Sequence, residues 1–272
     1  MDRSSSVEPQ RPSLFREDLE ANLRLVEALA PVHCRDCGGY HLDRARRRAR
    51  GPAPEALDRP HMVQLLQGWL AERLPGQGTL DFLIAGSGDT NLLATCAEAL
   101  AGGALQARYT VLDRCQTPLE LCAAFGREHR LGVRTLRMDM AAPEGPFAAD
   151  VIIVHSLLRF LPRAAHVPAM RTLHRWLKPG GIMLFSHRLM SEGCDERAEY
   201  GSVDPLRRLF AEAGLRIVAL QEHIEDSACV AGRAPRHRVL AVLQSADQLA
   251  PENPPRRAAQ DISLDRDVER NR

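Results

Sequence analysis

The chain has 272 residues, 44% of them hydrophobic, and carries 36 lysines and arginines against 35 acids for a net charge of +1. That is enough apolar material for a sizeable core, and the balanced charge leaves no whole-molecule field to hold nucleic acid or an anionic membrane. The N-terminal MDRSSSVEPQRPS lacks an apolar stretch and the longest aliphatic run, Val151 to Val154, is far too short to span a bilayer, so a soluble, cytoplasmic protein is expected.

Residues 1–13 and 246–272 are polar, rich in proline and arginine and without hydrophobic period, and are expected to be disordered tails. From Leu14 to Leu29 and from about Pro60 to Leu74, apolar residues recur at helical spacing. Residues 14–74 therefore read as a helical N-terminal cap. Between these helices lies HCRDCGGYH (33–41), with two cysteines, two histidines and a tyrosine in nine residues. Three readings stay open for it. Cys34 and Cys37 have the C-x2-C spacing of a zinc site, with His33 or His41 to complete it, but no second pair follows and no metal is expected. Gly38-Gly39 would serve as the hinge of a lid carrying Tyr40 and His41, or the stretch is a structural helix junction. Arg44, Arg46, Arg47, Arg48 and Arg50 read as a solvated helix face, with no interleaved aromatic residue for base stacking. The seven cysteines are odd in number and scattered, which suits reduced thiols.

Beyond residue 75 the text changes to short aliphatic runs separated by helical stretches: 80–85, 107–113, 133–139, 149–155, 181–187, 215–222 and 237–244. Such runs are buried strands, covered on both faces by helices at 90–101, 117–130, 163–177 and 203–213. The link over 223–236 has no helical repeat, so the seventh strand enters antiparallel. The expected architecture is a doubly wound α/β fold: a seven-stranded, mostly parallel sheet with an antiparallel last strand, over residues 75–245, plus the N-terminal cap.

In such a sheet a ligand sits beyond the carboxyl ends of the strands. After the first strand comes Gly86-Ser87-Gly88, which suits either a tight turn or a close backbone approach to a ligand. A dinucleotide fingerprint would need glycine at position 91, where Asn91 stands. Asp113 ends the second strand, where an acid accepts ribose hydroxyls, and Asp139 ends the third, placed to accept from an adenine amine with Met140 against the ring. These positions describe an adenosine site without a phosphate cradle. His155 and His187 end strands four and five at the same edge, and either is a candidate base. The polar loop Met190 to Gly201 suits a specificity loop or an ordinary surface loop.

The segments LIAGSGDTNLL, YTVLDRC, LRMDM, ADVIIVHSLLRFLP and above all TLHRWLKPGGIMLFSH resemble, in order and spacing, the class I S-adenosylmethionine-dependent methyltransferases. The resemblance spans roughly 60–245. It implies S-adenosyl-L-methionine as cofactor, with Gly86, Ser87 and Gly88 along its methionine portion, Asp113 and Arg114 at the ribose, Asp139 and Met140 at the adenine, and His155 facing the methyl-transfer region. Two positions depart from the pattern: Ile84 stands where an acid is usual, and Thr90 replaces the third glycine. The implied function is methyl transfer to an O, N or C of a small-molecule acceptor, in secondary metabolism, because the cap is short. His155, His41 and Tyr40 are the candidate catalytic residues. Alternatives are a peptide or protein acceptor, or a noncatalytic regulatory protein retaining the fold, which Ile84 and Thr90 favour.

Overall fold

The computed structural model describes Phe15, 17–35, 37–50, 58–73, 78–103, 105–189, 200–225 and 236–247. The tail at 1–13, nearly all of the tail at 246–272, most of the loop 190–201 and most of the link 223–236 lie outside the described residues.

Helix α1 (Leu19–His33) starts where the Asp18 carboxylate accepts the Ala21 N–H at 2.8 Å, so Phe15 precedes the helix that its spacing suggested, and Leu14 lies outside the described residues. Helix α2 (Tyr40–Ala49) follows a turn in which Gly38 and Gly39 take φ of 57° and 80°, a left-handed conformation that side chains rarely adopt. Helix α3 (Asp58–Arg73) completes the N-terminal helices.

The strands are β1 (Thr79–Ala85), β2 (Gln106–Asp113), β3 (Gly132–Arg137), β4 (Ala149–His155), β5 (Leu177–Leu189), β6 (Leu215–Glu225) and β7 (Arg236–Ser245). They form one sheet in the order β3-β2-β1-β4-β5-β7-β6, parallel except for β7, which runs antiparallel to both neighbours. Helices α4 (Asn91–Ala99), α5 (Gln116–Glu128), α6 (Arg163–Arg175) and α7 (Val203–Glu212) cover it.

Strand alternation decides which helix each residue meets. Leu83, Ala85, Ile152 and Val154 point into one layer with Met170 and Leu173 of α6 and Leu206 and Phe210 of α7. Phe82, Ile84, Val151 and Ile153 point the other way, against Met62 and Leu66 of α3, Leu93 of α4 and Leu119 and Phe125 of α5. A third cluster joins Val26, Ala30 and Cys34 of the cap to Cys115 and Leu121, so α1 docks on α5.

The LKPGG segment is a packing device at the amino-terminal ends of the strands, opposite their carboxyl ends. Lys178 Nζ bridges Asp81 at 2.7 Å and Asp150 at 2.8 Å, tying β1, β4 and β5 together. A Cβ at Gly181 would meet the Asp150 carbonyl oxygen at 2.8 Å, so only glycine lets β5 close onto β4 there. Strand β5 also begins at Leu177 rather than 181, and β3 stops at Arg137, which leaves Asp139 in the following loop.

Candidate functional site

A cavity of about 390 Å³ opens beyond the carboxyl ends of β1, β2 and β4, between the sheet and α2. Tyr40, His41, Gly86, Ser87, Gly88, Asp113, Arg114, Asp139, Met140 and His155, scattered over 116 positions of sequence, all line it. Its size falls in the ordinary range of small-molecule sites.

The glycine loop is held by its neighbour strand. Gly86 N–H donates to the Leu112 carbonyl at 2.8 Å, and the Ser87 N–H donates to Asp113 Oδ2 at 3.0 Å. Gly86 and Gly88 have φ of 77° and 70°. Asp113 Oδ2 also takes the Gly88 N–H at 3.5 Å, while Oδ1 accepts the Cys115 N–H alone at 2.8 Å and so retains a lone pair. Asp139 uses Oδ1 to accept the Ala141 N–H at 2.9 Å.

The two histidines of the cavity have different environments. His41 Nδ1 lies 3.1 Å from the Gly88 carbonyl, an acceptor, which places the proton on Nδ1 and the lone pair on Nε2. Burial lowers the His41 pKa, outweighing the attraction of Asp113. His155 Nε2 lies 3.1 Å from Asp58 Oδ2. Asp58, wholly buried at the start of α3, also takes Arg238 Nη1 at 3.0 Å and the Ser186 hydroxyl at 3.1 Å. Ser156 follows His155 with φ 55°, a left-handed conformation uncommon outside glycine, and starts a 3-10 turn (Leu157–Phe160) along the cavity wall. Phe160, about half exposed, meets Tyr40 edge-on with ring centres 5.2 Å apart.

His187 is not in the cavity. In the β4–β5 register His155 pairs with Ser186, so His187 points to the opposite face, where its ring packs against Phe185 and Tyr200. Burial pushes its pKa down to about 3, with Arg159 and Arg238 adding to the shift. As a base for a reaction in the cavity it is excluded by direction. The folded state thus binds fewer protons at His187 than the unfolded chain, so its contribution to stability is present above about pH 6.5 and is lost as pH falls toward 3. Replacing it with the uncharged His187→Phe is expected to flatten the pH dependence of the unfolding free energy, by about 2 kcal/mol between pH 7 and pH 5. Urea titrations at the two pH values check this; parallel losses in both proteins would refute it.

The arginine-rich helix is a correction to the solvated-face reading. Arg46, Arg47 and Arg50 are exposed, but Arg44 and Arg48 are buried. Asp89 Oδ2 takes Arg44 Nε at 2.6 Å and Arg48 Nη1 at 2.9 Å, and Arg48 forms a two-pronged pair with Glu17 at 3.0 and 2.7 Å. Burial opposes ionisation of Asp89, and the two guanidiniums overcome it, holding the carboxyl well below its usual range. Thr90, at the position of the absent third glycine, donates to Glu17 and accepts from Asn22 Nδ2 at 3.1 Å. Its hydroxyl fastens the cap to the glycine loop. Helix α2 forms one wall of the cavity, ion-paired to the glycine loop one and two turns beyond Tyr40 and His41. Sequence reasoning missed Asp58, Asp89 and Arg238. The signal for Arg44 and Arg48 was present: with His41 they form an i, i+3, i+7 stripe.

Residues 82–181 match the family described as "Methyltransferase domain". Among solved structures the chain is similar to N-methyltransferase NodS from Bradyrhizobium japonicum WM9 in complex with S-adenosyl-L-homocysteine, at 17% identity and a TM-score of 0.51 over 69% of this chain and 87% of that one. It is similar to the mitomycin 7-O-methyltransferase MmcR at 17% identity and 0.51, over 84% and 66% of the two chains. TehB from Haemophilus influenzae gives 12% identity and 0.50, over 67% and 62%. Among curated proteins no sequence matches. The matched domain runs from β1 into β5, the strand order and reversed β7 surround it, and the chain therefore has the fold of the class I S-adenosylmethionine-dependent methyltransferases.

Proposed function

We propose that this chain is an active methyltransferase that moves the methyl group of S-adenosyl-L-methionine to an oxygen, nitrogen or carbon of a small-molecule acceptor. One observation carries the reading: the residues proposed for methionine, ribose and adenine converge on a single cavity that Tyr40, His41 and His155 also line. The residues fit the cofactor. Asp113 Oδ1 retains a lone pair for a ribose hydroxyl, and a Cβ at Gly86 would meet Leu157 at 3.0 Å, so the loop has no room for a side chain there.

When bound, S-adenosylmethionine supplies an electrophilic sulfonium methyl for in-line attack. The chain's own part is to hold and align, which in well-oriented reactions corresponds to effective molarities of about 10⁵–10⁸ M. His41 Nε2 has the lone pair to take a proton from an acceptor hydroxyl or amine, and the Gly88 carbonyl keeps the ring in that tautomer. His155 is oriented by Asp58 through Nε2, which leaves Nδ1 for the same task. Tyr40 and Phe160 offer aromatic edges to the apolar part of an acceptor. Thr90 has a structural partner set, which removes one of the two reasons for a noncatalytic reading.

Calorimetry with S-adenosylmethionine and its demethylated product tests the proposal. Binding of both at micromolar concentration is expected; binding of neither would reduce the chain to a scaffold. Asp113→Ala is expected to weaken cofactor binding by about 1.5–3 kcal/mol, the range for hydrogen bonds to a charged group. An unchanged affinity in a variant with native melting temperature would take Asp113 out of the site.

A further inference from the structure

We propose that Cys34, Cys37 and Cys115 form a three-thiolate zinc site whose fourth coordination position faces the cavity. The C-x2-C pair lacked a partner in sequence; the fold supplies one from the loop after β2, 78 residues beyond Cys37. The three Sγ atoms lie within 4.8 Å of one another. Cys34 Sγ and Cys115 Sγ are 3.7 Å apart, and two sulfurs about 2.3 Å from one tetrahedral ion would stand about 3.8 Å apart. Cys37 sits on the turn with Gly38 and Gly39, around which a Cβ would meet nothing within 4 Å, so this arm has room to close the remaining gap.

Cys115 is the N-cap residue of the 13-residue helix α5, whose positive end favours an anionic ligand set, and the Thr117 hydroxyl lies 3.2 Å from Cys34 Sγ. Three sulfurs select zinc over the hard cations magnesium and calcium. Binding exchanges three S–H protons, released to solvent, for three Zn–S bonds, and gives a site of net charge −1. No fourth cysteine, histidine or carboxylate joins the cluster among the described residues. Cys37 and Cys115 both line the cavity, so the fourth position takes water or an atom of a cavity ligand. The ion would tie the α1–α2 junction to the loop that follows Asp113. This site is independent of the reaction proposed above.

The test is the full chain, purified with reductant and without chelator. Elemental analysis should find about one zinc per chain, falling below about a tenth in Cys37→Ser and Cys115→Ser and unchanged in Cys96→Ala, whose thiol is buried in α4. Cobalt(II) added to the metal-stripped protein should give sulfur-to-cobalt charge-transfer bands and the intense visible bands of a four-coordinate site. Should the serine variants fail to fold, thiol titration of the wild type decides: zinc should protect three thiols and a chelator should expose them. Wild type without zinc and without charge-transfer bands overturns the proposal. So does zinc retained in both serine variants, or a Cys34–Cys115 disulfide that persists under reductant.

Discussion

Asp89→Ala is expected to destabilise the protein by about 3–5 kcal/mol, the cost of breaking a buried ion pair from one side. The carboxylate is one-tenth exposed and holds Arg44 and Arg48 within 2.9 Å, while its other oxygen accepts the Asn91 N–H at 2.9 Å at the start of α4. Its removal leaves two buried guanidiniums that have lost a shared counter-charge, on the helix that forms one wall of the cavity. The cap should loosen before the sheet, because Arg44, Arg48 and Glu17, which the network joins to Asp89, all belong to the cap. Urea unfolding gives the magnitude, and hydrogen exchange resolved by segment should show protection lost first in α1 and α2. A loss under about 1 kcal/mol, with the cap still protected, would mean that the ion pairs hold nothing.

Gly86→Val should raise the cofactor dissociation constant by more than about a hundredfold, close to 3 kcal/mol. Two costs add. A β-branched residue at φ 77° is strained by roughly 1–2 kcal/mol, and its Cβ would stand 3.0 Å from Leu157 Cδ1, where the wall has to give way. Relief of either pushes the loop from its hydrogen bonds to Leu112 and Asp113. Gly88→Ala separates strain from overlap: its φ is 70°, but a Cβ there meets Arg44 no closer than 3.5 Å. The alanine variant should lose much less affinity than the valine variant. Equal affinity in Gly86→Val and wild type, with matched melting temperatures, would make the loop a plain turn.

The seven strands, their helices and the reversed β7 were legible because each is a local matter: a run such as VIIVH is apolar on both faces only if helices cover both. The glycine loop and the acids at strand ends were legible for a related reason, since a doubly wound sheet always presents those ends to one edge. The facing of histidines was not. His155 and His187 close adjacent aliphatic runs of the sequence in much the same way, and only the register that pairs His155 with Ser186 sends His187 into the opposite layer. Nor does composition say that two arginines of five are buried: that depends on Asp89 and Glu17 arriving from elsewhere to neutralise them. The same holds for the third thiol. Charge pairing and thiol clustering join residues tens of positions apart, and such contacts exist only once the chain has folded. Local periodicity therefore determined the architecture of this protein, and tertiary packing alone decided which polar side chains share a site.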